Sequence, residues 1–166
     1  PEAVKQYPAL GYLNEQYASK GLRVLAFPTE QGWYEAEISD IVRLRALQSY
    51  SFGQFPFSVV FDKVDLLGST AHPLFKYLMS TLKNPNGRGS ISLNFEKFLL
   101  DEHGVPVRRY PRKYTGFQME RDVAALLNGQ ELPPPSPTFE QAWVDAAREA
   151  IKSEYAFRKG YNVYRQ

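Results

Sequence analysis

The sequence predicts an α/β fold in which a mixed sheet has helices on both of its faces. Segments with helical spacing of apolar residues alternate with short apolar runs typical of strands, and a hairpin signal follows. This order of helix, strand, helix, strand, helix, hairpin and helix is typical of such a sheet. With 166 residues, of which 43% are hydrophobic and 23% charged, the chain has the size and composition of a globular domain with a short addition.

The first half of the chain alternates between helices and strands. A helix is predicted from Pro8 to Ser19, since a proline suits the first turn, and a strand from Leu22 to Phe27. A second helix is predicted from Ala36 to Tyr50 and a second strand from Phe57 to Phe61. Apolar residues spaced by three indicate the second helix: Ile38, Ile41, Leu44 and Leu47.

The second half adds a helix, a hairpin and a further helix. Pro73 begins the predicted helix that ends at Leu82, and Phe117 to Leu127 has a second amphipathic pattern. Between them, Glu96–Asp101 and Val105–Tyr110 flank a short turn that contains Gly104, which is a hairpin signal.

A proline-rich segment separates the last predicted helix from the rest. Leu132 to Pro137 holds four prolines in six residues and is predicted to be a stiff linker. Thr138 is predicted to cap the helix that follows, with Gln141 as its capping-box partner. Apolar residues lie along this helix: Phe139, Trp143, Ala146, Ala150, Ile151 and Phe157. The predicted organisation is a domain over 1–129, a linker over 130–137 and a helical extension over 138–166.

The composition excludes several classes of chemistry for these residues. There is no cysteine and there are two histidines, so disulfides, thiolate metal sites and cysteine nucleophiles are excluded, and we predict no metal and no cofactor. The net charge of +2 is too small by itself to indicate a nucleic-acid partner. No apolar run is long enough to span a membrane. Because the sequence begins at Pro1, we expect a processed start or a longer gene product.

Four segments, in order and in register, resemble the glutathione peroxidase family over roughly residues 1–128. They are Tyr7–Gly21, Leu25–Gln31, Ala71–Leu78 and Leu93–Asp101. The second is similar to the family's LAFPCNQF strand and loop, the third to AHPLYKFL and the fourth to WNFEKFLVD. The resemblance implies the thioredoxin-like fold of that family, with the Pro-rich linker and the last helix as an addition.

The resemblance also implies a site. Family members reduce hydroperoxides with a selenocysteine or cysteine that is surrounded by a glutamine, a tryptophan and an asparagine. The glutamine corresponds to Gln31 and the asparagine to Asn94, but Leu93 stands in the tryptophan position and has no N–H to donate. For Gln31 and Asn94, a structural role in bonding nearby backbone groups is the favoured interpretation, and a surviving catalytic role is the alternative.

Two further expectations follow from the family's pattern. Counting back from Tyr7 along the CGxTxxxY spacing places the nucleophile immediately before Pro1, and Ala3 in the threonine position. The family's first strand, which lies centrally in its sheet, would also precede Pro1. Because unpaired buried backbone groups cost about 1–3 kcal/mol each, we expect that strand to come from upstream or from another chain.

Partner-binding residues are predicted in two places. A basic and aromatic cluster follows the hairpin and includes Arg108, Arg109 and Arg112. It could contact acidic proteins, RNA or a membrane surface, or be a solvated hairpin end, which is the favoured interpretation. The second place is the last helix, whose Phe139, Trp143 and Ile151 are costly to expose and are predicted to bind a partner more readily than the helix's own domain.

Three functional hypotheses remain open at this point. The favoured one is a catalytically inactive, degenerate peroxidase that serves as a structural subunit of a larger complex, whose partners are other protein subunits or the RNA of a ribonucleoprotein. A mitochondrial location is expected for such a complex, and a cytoplasmic one otherwise. The main alternative is an active hydroperoxide reductase with its Cys or Sec upstream of Pro1, using glutathione or a thioredoxin-like reductant. A non-catalytic redox sensor is the third.

Overall fold

A computed structural model of the protein describes residues 2–31 and 37–153, and these residues form five α-helices and four strands. In chain order the elements are α1 (Ala3–Tyr17), β1 (Val24–Ala26), α2 (Ser39–Tyr50), β2 (Ser58–Val60), α3 (Pro73–Thr81), β3 (Lys97–Leu100), β4 (Pro106–Tyr110), α4 (Gly116–Leu127) and α5 (Pro137–Lys152). The predicted α/β class and the predicted order of elements are confirmed.

Both kinds of strand pairing occur. Strand β1 pairs in parallel with β2, so that Leu25 lies opposite Val59. Strand β3 pairs with β4 in the antiparallel direction, with an irregularity between Leu99 and Leu100. Each sheet in the described part of the chain has two strands. The predicted additional strand beside β1 therefore stays a prediction.

The described residues form two compact units. The first contains residues 2–28, 37–63 and 114–134, and so holds α1, β1, α2, β2 and α4. The second contains residues 29–31, 64–113 and 135–153, and so holds α3, β3, β4 and α5. Three predicted features lie outside the described residues: the start of the second helix at Ala36, the apolar position Phe157 and the end of the extension.

Helix α1 begins earlier than the sequence predicts. It starts at Ala3, so Pro8 lies inside the helix instead of in its first turn. The backbone N–H groups of Lys5 and Gln6 donate to the carbonyl of Glu2, and the fully buried Gln6 side chain donates to the Glu2 carboxylate at 2.9 Å. These bonds, together with burial of one helix face, outweigh the cost of a proline inside a helix, which is about 3 kcal/mol.

The apolar residues that predicted α2 do not face the core. Ile38, Ile41, Leu44 and Leu47 are 64%, 38%, 46% and 42% exposed. The core-facing side of α2 instead carries the buried Ala46, which packs with Leu10, Phe52 and Val60. A spacing of three residues falls 60° short of a full helical turn at each step, so this run winds around the helix instead of following one face.

Helices α1 and α4 lie against each other in the first unit. A Cβ atom on Gly116 would come within 2.5 Å of the carbonyl oxygen of Ala9, so only glycine permits this approach. Farther along the contact, the hydroxyls of Tyr12 and Tyr17 both donate to one carboxylate oxygen of Glu120, at 3.0 and 2.9 Å. Glu120 thus joins α4 to two positions on α1.

Replacing Glu120 with leucine is expected to change the titration of two tyrosines. Hydrogen bonding to the Glu120 carboxylate, with burial and its charge as smaller causes, raises the pKa of Tyr12 and of Tyr17 above the ordinary value of 10.0. Tyrosinate absorbance followed against pH should show two of the 11 tyrosines titrating at lower pH in the variant.

The raised pKa values also give stability a pH dependence with a definite sign. Folding favours the neutral phenols, so their contribution is complete below the unfolded pKa of about 10 and is lost as the pH rises through the higher folded values. Glu15→Leu is the matched control, because Glu15 is exposed on α1. An unchanged tyrosine titration in Glu120→Leu would contradict the two hydrogen bonds.

In the second unit, helix termini are capped by side chains. Nδ1 of His72 accepts a hydrogen bond from the backbone N–H of Leu74 at 3.2 Å, so His72 caps α3. Helix α5 is capped by Ser136 and not by Thr138, because the hydroxyl of Ser136 accepts from the N–H of Phe139 at 3.2 Å. Pro137 then occupies the first helical position, which suits proline.

Helix α5 packs within the second unit. Phe139 and Trp143 are 5% and 2% exposed, and the ring of Phe139 meets that of Tyr110 edge-on at 5.8 Å. The side-chain N–H of Asn86 donates to the carbonyl of Trp143 at 3.1 Å. Helix α5 thus belongs to the same compact unit as β3 and β4, although the sequence predicted a separate extension.

Among the residues that the model describes, no helix combines the length and the apolarity needed to cross a bilayer.

Candidate functional site

Gln31 is completely buried, with an exposed fraction of 0%. Its side-chain oxygen accepts hydrogen bonds from the backbone N–H groups of Leu66 and Leu67 at 2.6 and 2.8 Å, and its Nε2 donates to the carbonyl of Leu67 at 3.0 Å. The backbone N–H of Gln31 donates to the hydroxyl of Thr29 at 3.1 Å. The amide therefore bridges two stretches of chain, and both lone pairs of its oxygen are occupied.

The other two family positions also lie in the second unit. Leu93 is 2% exposed, so an aliphatic side chain fills the place that the resemblance assigns to a tryptophan. Asn94 is partly exposed and lies in the turn before β3, where the next residue, Phe95, has a positive φ of 56°. Among the three family positions, Leu93 offers a buried apolar side chain and Gln31 an amide bonded to backbone, and none of the three offers a nucleophile, acid or base.

Replacing Gln31 with leucine is expected to destabilise the protein. The variant keeps a side chain of similar size but leaves the N–H groups of Leu66 and Leu67 without their acceptor. A buried unsatisfied group costs about 1–3 kcal/mol, and the free energy of unfolding in urea should fall by at least that amount.

Gln130→Leu is the control for this prediction, since Gln130 is exposed and the change in chemistry is the same. It should alter the free energy of unfolding by less than about 0.5 kcal/mol. Equal free energies of unfolding of Gln31→Leu and Gln130→Leu would show that the hydrogen bonds to Leu66 and Leu67 do not contribute to stability.

Arg109, predicted to bind a partner, is instead an internal residue. Its side chain is 1% exposed, and that of Glu96, its ion-pair partner at 2.6 Å, is 3% exposed. One guanidinium nitrogen donates to the carbonyls of Leu82 and Gly89 at 3.0 and 2.6 Å. The guanidinium carbon lies 4.6 Å from the ring centre of Phe98. Arg109 holds the segment after α3 to the hairpin and is inaccessible to a partner.

The neighbouring cations are also engaged within the chain. Arg112 donates to Glu149 of α5 at 2.8 Å, and Lys113 lies 3.1 Å from the second carboxylate oxygen. Arg108 is partly exposed, with its guanidinium 5.7 Å from the centre of the Phe139 ring. The predicted basic cluster is therefore divided among the buried ion pair of Arg109, the contacts of Arg112 and Lys113 with α5, and Arg108 beside the Phe139 ring.

The last helix separates its predicted partner-binding residues in a similar way. Phe139 and Trp143 are buried within their own unit, against β4 and the loop at Asn86, whereas the sequence favoured their burial against a partner. Ile151 is 80% exposed and remains available. Periodicity predicted which residues lie together on the helix, but it could not show which surface covers them.

Within the described ranges, no group of three or more His, Asp or Glu side chains could hold a metal ion.

Sequence reasoning missed two features that the structure brings out. One is the ion pair of Glu96 with Arg109, and the other is the exposure of the aliphatic side chains along α2. The second had a usable signal, because a run of apolar residues with a spacing of three does not follow a single helix face.

Comparison with known proteins gives consistent results along most of the chain. The sequence profile described as glutathione peroxidase matches residues 2–79. A probable phospholipid hydroperoxide glutathione peroxidase of Mesembryanthemum crystallinum is 40% identical over 122 residues, which cover 73% of this chain and 69% of that protein. Glutathione peroxidase 1 of Rattus norvegicus is 32% identical over 146 residues, covering 76% of this chain and 73% of that one.

A solved structure supports the same fold. The crystal structure of T. cruzi GPX1 superposes with a TM-score of 0.56 at 29% identity, covering 75% of this chain and 72% of that one.

Phospholipid hydroperoxide glutathione peroxidase 1 of Arabidopsis thaliana, a chloroplastic protein, is 38% identical over 122 residues. These cover 73% of this chain and 50% of that protein, so the chain spans about half the length of this relative.

Proposed function

Because this chain belongs to the glutathione peroxidase family, we propose that it uses the family's fold as a non-catalytic subunit of a larger protein assembly. The observation that carries the proposal is Leu93. A buried leucine stands where the family pattern has a tryptophan, and a leucine cannot donate a hydrogen bond to a reacting sulfur or selenium.

The surroundings of Gln31 support the same interpretation. Its amide oxygen already accepts from two backbone N–H groups, and its side chain has no exposed surface. A peroxide at the protein surface would meet neither this amide nor an N–H at position 93. Two of the three positions that would stabilise a reactive chalcogen are thus engaged in packing or backbone bonding.

Exposed aliphatic side chains at the start of α2 and along it support assembly with other proteins. Four of them are more than one third exposed: Ile38, Ile41, Leu44 and Leu47. Their charged neighbours are paired within the chain: Arg43 with Asp40 and Asp62, and Arg45 with Glu37. These two cations and three anions carry no excess positive charge, and such surroundings of exposed aliphatic groups suit a protein surface better than the phosphates of RNA, so protein subunits are the proposed partners.

The second candidate function is hydroperoxide reduction by a Cys or Sec outside the 166 residues, with glutathione or a thioredoxin-like protein as reductant. The relatives' names favour it, since several are called phospholipid hydroperoxide glutathione peroxidases. Under this candidate the substrate class is a lipid hydroperoxide, and Gln31 and Asn94 would assist from their present positions.

Turnover separates the two candidates. The full-length gene product is assayed for loss of a phospholipid hydroperoxide with glutathione or thioredoxin as reductant, as wild type and as Leu93→Trp. We expect no turnover from either form. Turnover by the wild type would establish the second candidate, and a gain in Leu93→Trp would show that position 93 limits an otherwise intact site.

Assembly is tested separately by isolating the endogenous protein. We expect the wild-type protein to be isolated in a particle with a fixed ratio of subunits, and the Leu44→Glu variant to be absent from that particle. Gln48→Glu on the same helix is the control, because it adds the same charge without removing an aliphatic side chain. A wild-type protein that migrates as a free monomer would contradict the assembly. Fractionation tests the proposed mitochondrial location against a plastid, where three of the relatives are named as residing.

A further inference from the structure

Glu120 of α4 is a partly exposed carboxylate without an ion-pair partner in the described part of the chain. Its Oε1 atom accepts hydrogen bonds from the hydroxyls of Tyr12 and Tyr17, at 3.0 and 2.9 Å. These two bonds occupy both lone pairs of that oxygen. Across residues 2–31 and 37–153, the second carboxylate oxygen, Oε2, has no donor. The cluster therefore keeps a negative charge that no cation of the described chain neutralises at ion-pair distance.

Aromatic rings lie beside this carboxylate, within the first compact unit. Phe117 precedes Glu120 by three residues on α4, so the two side chains are neighbours on the helix surface. The ring centre of Tyr12 lies 5.1 Å from that of Phe117, and the ring planes are tilted by 48°. Phe117 is 56% exposed and Tyr12 is partly exposed. A solute can thus meet two aromatic rings close to a carboxylate.

The ring of Tyr17 already holds an ammonium group of this chain. Nζ of the exposed Lys20 lies 5.4 Å from the centre of the Tyr17 ring, which is within the range of cation–π attraction. Among the described residues, no cation lies over the ring of Tyr12 or of Phe117. The two rings beside Oε2 of Glu120 are therefore the ones open to a cation from solution.

The chemistry of the cluster favours a cation that has no N–H groups. Because both lone pairs of Oε1 are occupied, a guanidinium cannot bind the Glu120 carboxylate through two parallel hydrogen bonds. A primary ammonium is strongly hydrated and would lose water at ring faces that replace it poorly. A quaternary ammonium has no donor to satisfy, and aromatic rings attract its charge through their electron-rich faces.

We propose that Glu120, Tyr12 and Phe117 bind the quaternary ammonium group of a small molecule of the choline type. The methyl groups contact the two rings, and the charge lies near Oε2 of Glu120. A lipid head group fits less well, since its phosphate would bring a second negative charge close to Glu120. Joining α1 to α4 requires only Oε1, so a purely structural role leaves the unpaired Oε2 unexplained. This inference is independent of whether the chain has peroxidase activity.

The test is an NMR titration of the whole isotope-labelled protein with tetramethylammonium, choline, phosphocholine and ammonium at constant ionic strength. We expect saturable shifts at Tyr12 and Phe117 with tetramethylammonium and choline, and weaker binding of phosphocholine and ammonium. Phe117→Leu should weaken tetramethylammonium binding about two- to fivefold, as expected for an exposed cation–π contact. Phe55→Leu is the matched control, because Phe55 is 84% exposed in the same unit, and it should leave the affinity unchanged.

Glu120→Gln tests the charge while keeping an acceptor for the two phenols. It should weaken tetramethylammonium binding at low salt, with a difference that shrinks as ionic strength rises. Glu131→Gln, at an exposed position after α4, is its control and should have no effect. Circular dichroism of each variant confirms that the helices are retained.

Four results would overturn the proposal. They are the absence of saturable shifts, equal affinity for ammonium and tetramethylammonium, equal losses in Phe117→Leu and Phe55→Leu, and tighter binding of phosphocholine than of choline. The first three would show that the rings and the carboxylate form no site for a quaternary ammonium. The last would assign the site to a phosphate-bearing head group.

Discussion

Replacing Arg109 with methionine is expected to lower the free energy of unfolding by about 3–5 kcal/mol, because it leaves the carboxylate of Glu96 buried without its partner. The same change removes the donor for the carbonyls of Leu82 and Gly89. Urea denaturation followed by circular dichroism measures the loss. The aliphatic stem of methionine keeps part of the packing, so the effect reports mainly on charge and hydrogen bonding.

A double-mutant cycle separates the ion pair from its surroundings. Glu96→Leu combined with Arg109→Met removes both charges, and replacing a buried pair by apolar groups is often close to neutral. The double variant should therefore be more stable than Arg109→Met alone, although Ser92 loses the acceptor for its N–H. Arg108→Met is the surface control and should cost less than about 1 kcal/mol. Similar losses in Arg108→Met and Arg109→Met would mean that burial of the pair is unimportant.

The order of elements could be predicted because local patterns encode it. The helix begun by Pro73 and the hairpin around Gly104 depend on residues close in sequence, and both were predicted with nearly correct bounds. Pro8 and Thr138 misled the prediction because each is a residue type that favours the start of a helix. Tertiary contacts override this preference at Pro8, and a neighbouring residue caps α5 in place of Thr138. Gln6 is buried beside Glu2 in the first case, and Ser136 caps α5 in the second.

The candidate site was less predictable, because the roles of its residues depend on partners distant in sequence. The sequence places Arg108 and Arg109 side by side as equivalent cations. Their difference arises from strand alternation, which turns Arg109 toward Glu96, 13 residues away. The motif likewise identified Gln31, but only the fold shows that its amide bonds to the backbone at Leu66 and Leu67, 35 and 36 residues further on.

Replacing Trp143 with alanine is expected to cost about 3–5 kcal/mol, the range for deleting a buried large aromatic side chain. The indole is 2% exposed and lies on the same face of α5 as Phe139, whose ring contacts Tyr110. If α5 is part of the core of its unit, the variant should unfold at lower urea concentration as an isolated protein, with no partner present. This result would remove Trp143 from any partner-binding surface.

Ile151→Ala gives the opposite expectation on the same helix. Its side chain is 80% exposed, so truncation should change the free energy of unfolding by less than about 0.5 kcal/mol. If a partner does cover α5, Ile151→Ala should weaken that association while leaving the isolated protein stable, whereas Trp143→Ala should destabilise the protein itself. A stable, fully folded Trp143→Ala would instead show that α5 is held by its neighbours only weakly, and would return Phe139 and Trp143 to the candidates for partner binding.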